Sequence, residues 1–219
     1  MLNKLAILFA LLLPIAATAC SHDTNHSQPT TTAQPIDKDT CAQATLQLPP
    51  LPSNPSGTAF IVVSKLNHTL SVYDRNATGD TVLVAQFPCC MGKNKGDKQR
   101  RGDMRTPESP VGKPFKITMI QDASTWKHDF HDGRGSILAY GHWFLRLATP
   151  GHRGIGIHGS TNNEGTVPGR ASEGCIRLLD KDIVTLKEHF AYVGMPVTVQ
   201  AENAAPYPWE SRARQASTK

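Results

Sequence analysis

Short runs of apolar residues, rather than long helical stripes, dominate the middle of the chain. Ala59 to Val63 is a β-branched run, and His68 to Asp74 alternates with Leu70 and Val72 on one face. Ser64 to Asn67 between them supplies hairpin chemistry. A third strand is predicted over Thr81 to Phe87 after the Asn76-to-Gly79 turn, then a long loop, then strands at Pro114–Ile120, Gly141–Leu147 and Gly154–His158. One helix is expected: Asp180 as N-cap, Asp182 near the positive helix end, Ile183, Leu186 and Phe190 at helical spacing, and Gly194 as the stop. Pro196 to Gln200 closes the series as a last strand. No repeat and no βαβ rhythm appears, so the fold class is mainly β (α+β), a mixed sandwich or barrel rather than a doubly wound sheet.

The ends differ from this middle. Lys4 followed by the apolar stretch Leu5 to Ala17 and the small residues Ala17-Thr18-Ala19 reads as an export signal over residues 1–19. Cys20 directly after it resembles a bacterial lipobox, which implies lipidation of Cys20. Ala17 stands where that pattern usually has Leu, and Ala-Thr-Ala equally suits an ordinary signal peptidase. Either route places the domain outside the cytoplasm, in the cell envelope. Residues 20–56 are rich in Ser, Thr, Gln, Asn and Pro and read as a disordered tether. The tail 201–219 is polar, with Pro206-Tyr207-Pro208-Trp209 able to dock back. Residues 57–200 remain as one domain of ordinary size.

Composition excludes more than it selects. The net charge of +5 is modest and largely local, with Lys93, Lys95, Lys98, Arg100, Arg101 and Arg105 set against Asp97 and Asp103. Without interleaved aromatics this is no nucleic-acid surface, and without Gly-Lys-Ser/Thr it is no phosphate loop. It reads as a solvated basic loop or as an electropositive rim for an anionic polymer. Five cysteines in a chain of 219 residues do not make a disulfide scaffold. Cys41 lies in the tether. A bond between the adjacent Cys89 and Cys90 would be strained, so one is expected to be buried and the other to face a cleft. His142 and His152 lie near His158 and Cys175, but their spacing fits no standard zinc site, and a bound metal would silence the thiol. No metal and no cofactor is expected.

The chemistry is concentrated in two stretches, Gly154-Ile155-Gly156-Ile157-His158-Gly159 and Ser172-Glu173-Gly174-Cys175-Ile176-Arg177. They offer a thiol nucleophile in Cys175 and a base in His158, enough for acyl transfer. Alternation buries Ile155 and Ile157 and turns His158 to the other side of a strand end. Gly159 offers a carbonyl for the second imidazole nitrogen. The amides of Gly174 and Cys175 could face an oxyanion, and Ser172 could donate there or simply close the turn.

These residues resemble the catalytic segment of the L,D-transpeptidase (YkuD) family: a His, a loop, then Ser/Thr-His-Gly-Cys, an apolar residue and Asn or Arg. His158, Ser172, Gly174, Cys175, Ile176 and Arg177 match; Glu173 stands where the family usually has His. Gly92 to Lys98 followed by Gly102 to Glu108 looks like the family's Gly-rich segment and Thr-Pro turn, with Ser109 in place of the usual Gly. The resemblance covers roughly residues 57–200. It implies a β-sandwich with one helix after the cysteine. It also implies peptidoglycan stem peptides as substrate, an acyl-enzyme on Cys175, and Arg177 binding a substrate carboxylate or shaping the cleft. Amines on other stems or on lipoproteins would be acceptors, no nucleic acid would be bound, and the only membrane contact would be the lipid anchor. A hydrolytic relative using the same pair, an L,D-carboxypeptidase or an enzyme releasing wall-linked protein, is the nearest alternative. A wall-binding domain without catalysis, suggested only by Glu173, is a remoter one.

Overall fold

In the computed structural model the described residues are 48–216. The signal, Cys20, Cys41 and most of the tether therefore lie outside them. Twelve strands are present among the described residues. They are β1 Phe60–Ser64, β2 Thr69–Arg75, β3 Thr81–Pro88, β4 Cys90–Gly92, β5 Phe115–Asp122, β6 Lys127–Asp129, β7 Ser136–Leu138, β8 Trp143–Leu147, β9 Gly156–His158, β10 Gly169–Ser172, β11 Ile176–Arg177 and β12 Pro196–Gln200. Two helices, α1 Asp180–His189 and α2 Pro208–Ala216, complete the fold. Ten strands form one mixed sheet in the order β10-β4-β11-β9-β8-β5-β12-β1-β2-β3, and β6 and β7 make a separate hairpin.

The two halves of the sheet meet at β5, which pairs with β12 on one side and β8 on the other. Both halves feed one core. Ile61, Val63, Leu70 and Val72 from one half and Leu145, Ile157 and Ile176 from the other belong to a single buried cluster with Ile183 and Leu186 of α1 and Phe190 just after it. The mainly β fold, with the expected helix α1 shortly after Cys175, is thus observed. Burial of this apolar surface is the main stabilising term, at roughly 1.5–3 kcal/mol for each large side chain.

Three local readings are corrected. Asp180 is the first residue of α1 rather than its cap; Leu179 occupies the cap position and makes no side-chain cap bond. The helix ends at His189 with Phe190 as C-cap, well before Gly194. The polar tail holds a second helix, α2. Trp209 stands edge-on to Phe60 and Tyr73 at 5.4 and 4.9 Å, and Glu210 accepts from Gln200 Nε2 at 2.9 Å. Docking by the Pro-Tyr-Pro-Trp segment is therefore seen, carried by that one indole.

Cys89 and Cys90 are both free and fully buried, and neither lines the cleft described below. The reason is the place of β4 inside the sheet. It pairs with β10 on one edge and β11 on the other, while Cys89 belongs to the core cluster. Burial, together with the neighbouring Cys90, pushes the Cys89 thiol up.

Candidate active site

The site is assembled by β9 and β11, which run parallel with Ile157 opposite Ile176 and His158 opposite Arg177. Pairing of the two short strands sets the cysteine turn beside the histidine across seventeen positions of sequence. Ile157 and Ile176 bury into the core, which fixes the register and leaves His158 and Arg177 on the other face. Both side chains, with Cys175, line one cleft of about 320 Å³.

His158 is held on every side. Its Nδ1 donates to the Gly159 carbonyl at 2.6 Å, the contact expected from sequence, which leaves Nε2 as the acceptor. Phe144 stacks on the ring at 5.6 Å and Tyr140 lies 4.8 Å away. Burial, then the nearby Arg177 guanidinium, drive its pKa down to about 3, so the imidazole rests neutral.

Gly159 is itself buttressed. A side chain there would run into the Asp180 carboxylate and come 2.8 Å from Gly141 Cα. Asp180 accepts from the Ser160 N–H at 2.7 Å and from the Thr161 hydroxyl, so its tertiary role displaces the capping role that its sequence position suggests. Asp180→Ala should cost about 1–3 kcal/mol by leaving these donors unpaired. Urea unfolding checks this, and a loss below about 0.5 kcal/mol would remove Asp180 as the loop's anchor.

Cys175 is half-buried, and its Sγ donates to the Gly154 carbonyl at 3.4 Å. Burial raises the thiol pKa, the Gly156 N–H, Arg177 and Lys98 lower it, and Glu173 raises it. The resting pair is therefore a neutral thiol beside a neutral imidazole.

The turn before the thiol departs from expectation in one respect. Ser172 is buried, and its Oγ donates to the Cys175 carbonyl at 2.6 Å while accepting from the Gly174 N–H at 3.1 Å. Ser172 thus closes the turn, and the Gly174 amide is spent inside it rather than presented to an oxyanion. Gly174 is required all the same: its φ is +141°, and a side chain would meet the Arg105 carbonyl at 2.8 Å.

Arg177 is buried rather than on the surface, and its Nε has no hydrogen-bond partner. The Phe130 ring lies 5.0 Å from its guanidinium carbon.

The structure adds residues that the sequence reading left out. Lys98 is buried, donating to Asp103 Oδ1 at 2.8 Å, so this part of the basic run is not a solvated loop. Asp103 also accepts from the N–H groups of Gln99, Arg100 and Arg105 at 2.7, 3.0 and 3.1 Å. Partial burial opposes ionisation of Asp103, but Lys98 and these amides hold its carboxyl far below the usual range. Folded around that carboxylate, the segment brings Lys98 and Arg101 to the cleft, where Arg153 joins them. The β6–β7 hairpin supplies His128 and Phe130. Its signal was the turn-rich Asp132-Gly133-Arg134-Gly135 between the two strands. Among the described residues, no group of three or more His, Cys, Asp and Glu could hold a metal ion.

The family model for the L,D-transpeptidase catalytic domain, YkuD, matches residues 58–199. This chain belongs to that family. Its members act on peptidoglycan stem peptides. No curated protein sequence matches. Among solved structures, a Bdellovibrio bacteriovorus protein matches at 21% identity and TM-score 0.47, covering 78% of this chain and 57% of its own. An L,D-transpeptidase from Mycobacterium smegmatis matches at 22% and 0.43, covering 65% and 58%. The helical cell shape determining protein of Campylobacter jejuni matches at 19% and 0.47, covering 77% and 55%. This L,D-transpeptidase-family chain thus spans 55–58% of the length of those three structures.

Proposed function

We propose that the protein is a cysteine-dependent L,D-transpeptidase that works on peptidoglycan stem peptides through an acyl-enzyme on Cys175. The observation that carries this reading is the fixed imidazole of His158. With Nδ1–H given to the Gly159 carbonyl, Nε2 is the unprotonated nitrogen of a ring that lines the same cleft as Cys175. Cys175 attacks the carbonyl of the L,D bond before a terminal D-Ala, and its proton passes to His158 Nε2 as the C–S bond forms. Collapse breaks the C–N bond, and His158 returns the proton to the departing amine. The cations Lys98 and Arg177 favour the negative charge that develops on sulfur and oxygen, and Arg177, which lines the cleft, receives a substrate carboxylate. An amine then takes the acyl group, with no cofactor involved.

Purified disaccharide-tetrapeptides incubated with the enzyme and analysed by mass spectrometry test the reading. Cross-linked dimers support transfer. Trimmed tripeptides alone would make the enzyme a hydrolase, and unchanged substrate would make the domain a binding module.

The proposal extends to export with Cys20 lipidated, supported by the apolar stretch and small residues that precede it. Native protein should then partition into detergent, and Cys20→Ala should release it to the soluble fraction. Native protein that starts at Cys20 or Ser21 without added lipid mass would refute the anchor.

A further inference from the structure

Glu173 is the single carboxylate among the residues that line the thiol cleft, against Lys98, Arg101, Arg153 and Arg177. Its Oε1 lies 3.3 Å from Nε2 of His128, which the β6–β7 hairpin holds beside the Phe130 ring at 4.5 Å and the Tyr140 ring at 6.3 Å. Both side chains of the pair keep access to solvent, 31% for His128 and 47% for Glu173. A second cleft, of about 340 Å³, shares the wall made by Phe130, Ser172, Glu173 and Arg177. Glu173 therefore stands on the ridge between the thiol and a neighbouring groove. A nucleophile arriving from that groove passes it before reaching a carbonyl bound to Cys175.

This carboxylate does not favour the thiolate needed for acylation. Its charge opposes a thiolate on Cys175, which is the wrong sign for the first half-reaction. The sign is right for the second half-reaction if the incoming group is a cation. A primary amine is an ammonium at neutral pH and must lose a proton before it can attack.

On the reading of an acyl-enzyme at Cys175, we infer that Glu173 and His128 form the receiving site for the acceptor ammonium and so favour amines over water. The ammonium R–NH3+ donates to the Glu173 carboxylate, and its first proton leaves to the Glu173–His128 pair and on to solvent. The amine nitrogen then forms the C–N bond at the thioester carbonyl, and its second proton passes to His158 Nε2. The C–S bond breaks with its electron pair on sulfur, which takes that proton from His158. The products are an amide, the free thiol and one proton in solution.

The test uses the wild-type chain and the variants Glu173→Gln and His128→Gln, with a synthetic tetrapeptide ending in D-Ala as donor. Release of D-Ala follows acylation. Partition of the acyl group is then measured between glycinamide, a cation at pH 7, and hydroxylamine, which is mostly uncharged. Losing the partly exposed ionic contact at Glu173, or the imidazole partner that relays its proton at His128, should lower transfer to glycinamide relative to hydroxylamine by about two- to fivefold in both variants. An unchanged ratio in Glu173→Gln, with D-Ala still released, overturns the acceptor site and leaves the acyl-enzyme standing. A fall in Glu173→Gln alone removes His128 from the site, overturning the pair as stated. Failure of the wild type to release D-Ala overturns the acyl-enzyme reading and this inference with it.

Discussion

Cys175→Ser should lower turnover by about 10³-fold or more while the protein stays folded. The loss follows from acidity. With the imidazole pKa held at about 3, even a thiol gives up its proton at a cost, and a serine hydroxyl is many units less acidic, so the same imidazole removes its proton only at a far greater one. Lys98 and Arg177 help an anion once formed, which is a smaller contribution than the difference in acidity. The fold should tolerate the change because the two side chains are similar in size. A hydroxyl can also make the bond that Sγ makes to the Gly154 carbonyl. The checks are D-Ala release and a thermal melt on the same preparation. Turnover near wild type would place the nucleophile elsewhere, and Cys89 and Cys90 are poor substitutes because both are fully buried. A collapsed melting transition would show that the thiol carries packing that its half-buried position does not suggest.

The parts of this site that the sequence exposed are those whose geometry is local. His158 and Gly159 are neighbours, so the ring-to-carbonyl contact needs only the backbone turn between them. Cys175 follows Gly174 within one tight turn, and alternation from Ile157 to His158 is enough to separate core from cleft there, while Ile155 belongs to the core and also touches the cleft. What stayed hidden depends on distant partners. Strands β4, β10 and β11 are two to four residues long, too short for any period to register, and exist because neighbours in the sheet hold them. Lys98 looked like one more solvated charge in a basic run until Asp103 folded the loop around it. Asp180 has the composition of a cap, yet its carboxylate is drawn away to the loop after His158. In α2, few side chains of a polar segment are buried, and Trp209 packs against strands more than a hundred positions earlier. In each case a tertiary contact outweighs a local preference.

His158→Ala should cost about 10²–10⁴-fold in turnover, the usual range for a lost general base, and should leave a second mark in acid. The imidazole is buried, with Arg177 nearby, and its pKa stands at about 3 against about 6.5 in the unfolded chain. Between those values the unfolded chain binds a proton that the folded protein excludes. Stability contributed by this residue is therefore complete above the unfolded value and drains away as pH falls toward about 3. Alanine has no such proton to bind. The variant starts less stable at pH 7, because its ring has left a space between Phe144 and Tyr140. From pH 6 downward, however, its stability should fall less steeply than that of the wild type. Urea denaturation across pH 4 to 7 reads the slope. In the same preparation the alkylation of Cys175 should keep nearly the wild-type pH profile. The imidazole is neutral at rest, and the sulfur donates to Gly154, so removing the ring takes no charge away from the thiol. A large rise in the alkylation pKa would mean that thiolate and imidazolium coexist before substrate arrives. An unchanged acid slope would mean that His158 titrates in the folded protein as it does in water. Either outcome would overturn the neutral pair on which the mechanism rests. Loss of turnover with a flattened acid slope and an intact alkylation profile would instead assign His158 one task, taking the thiol proton at the moment of attack.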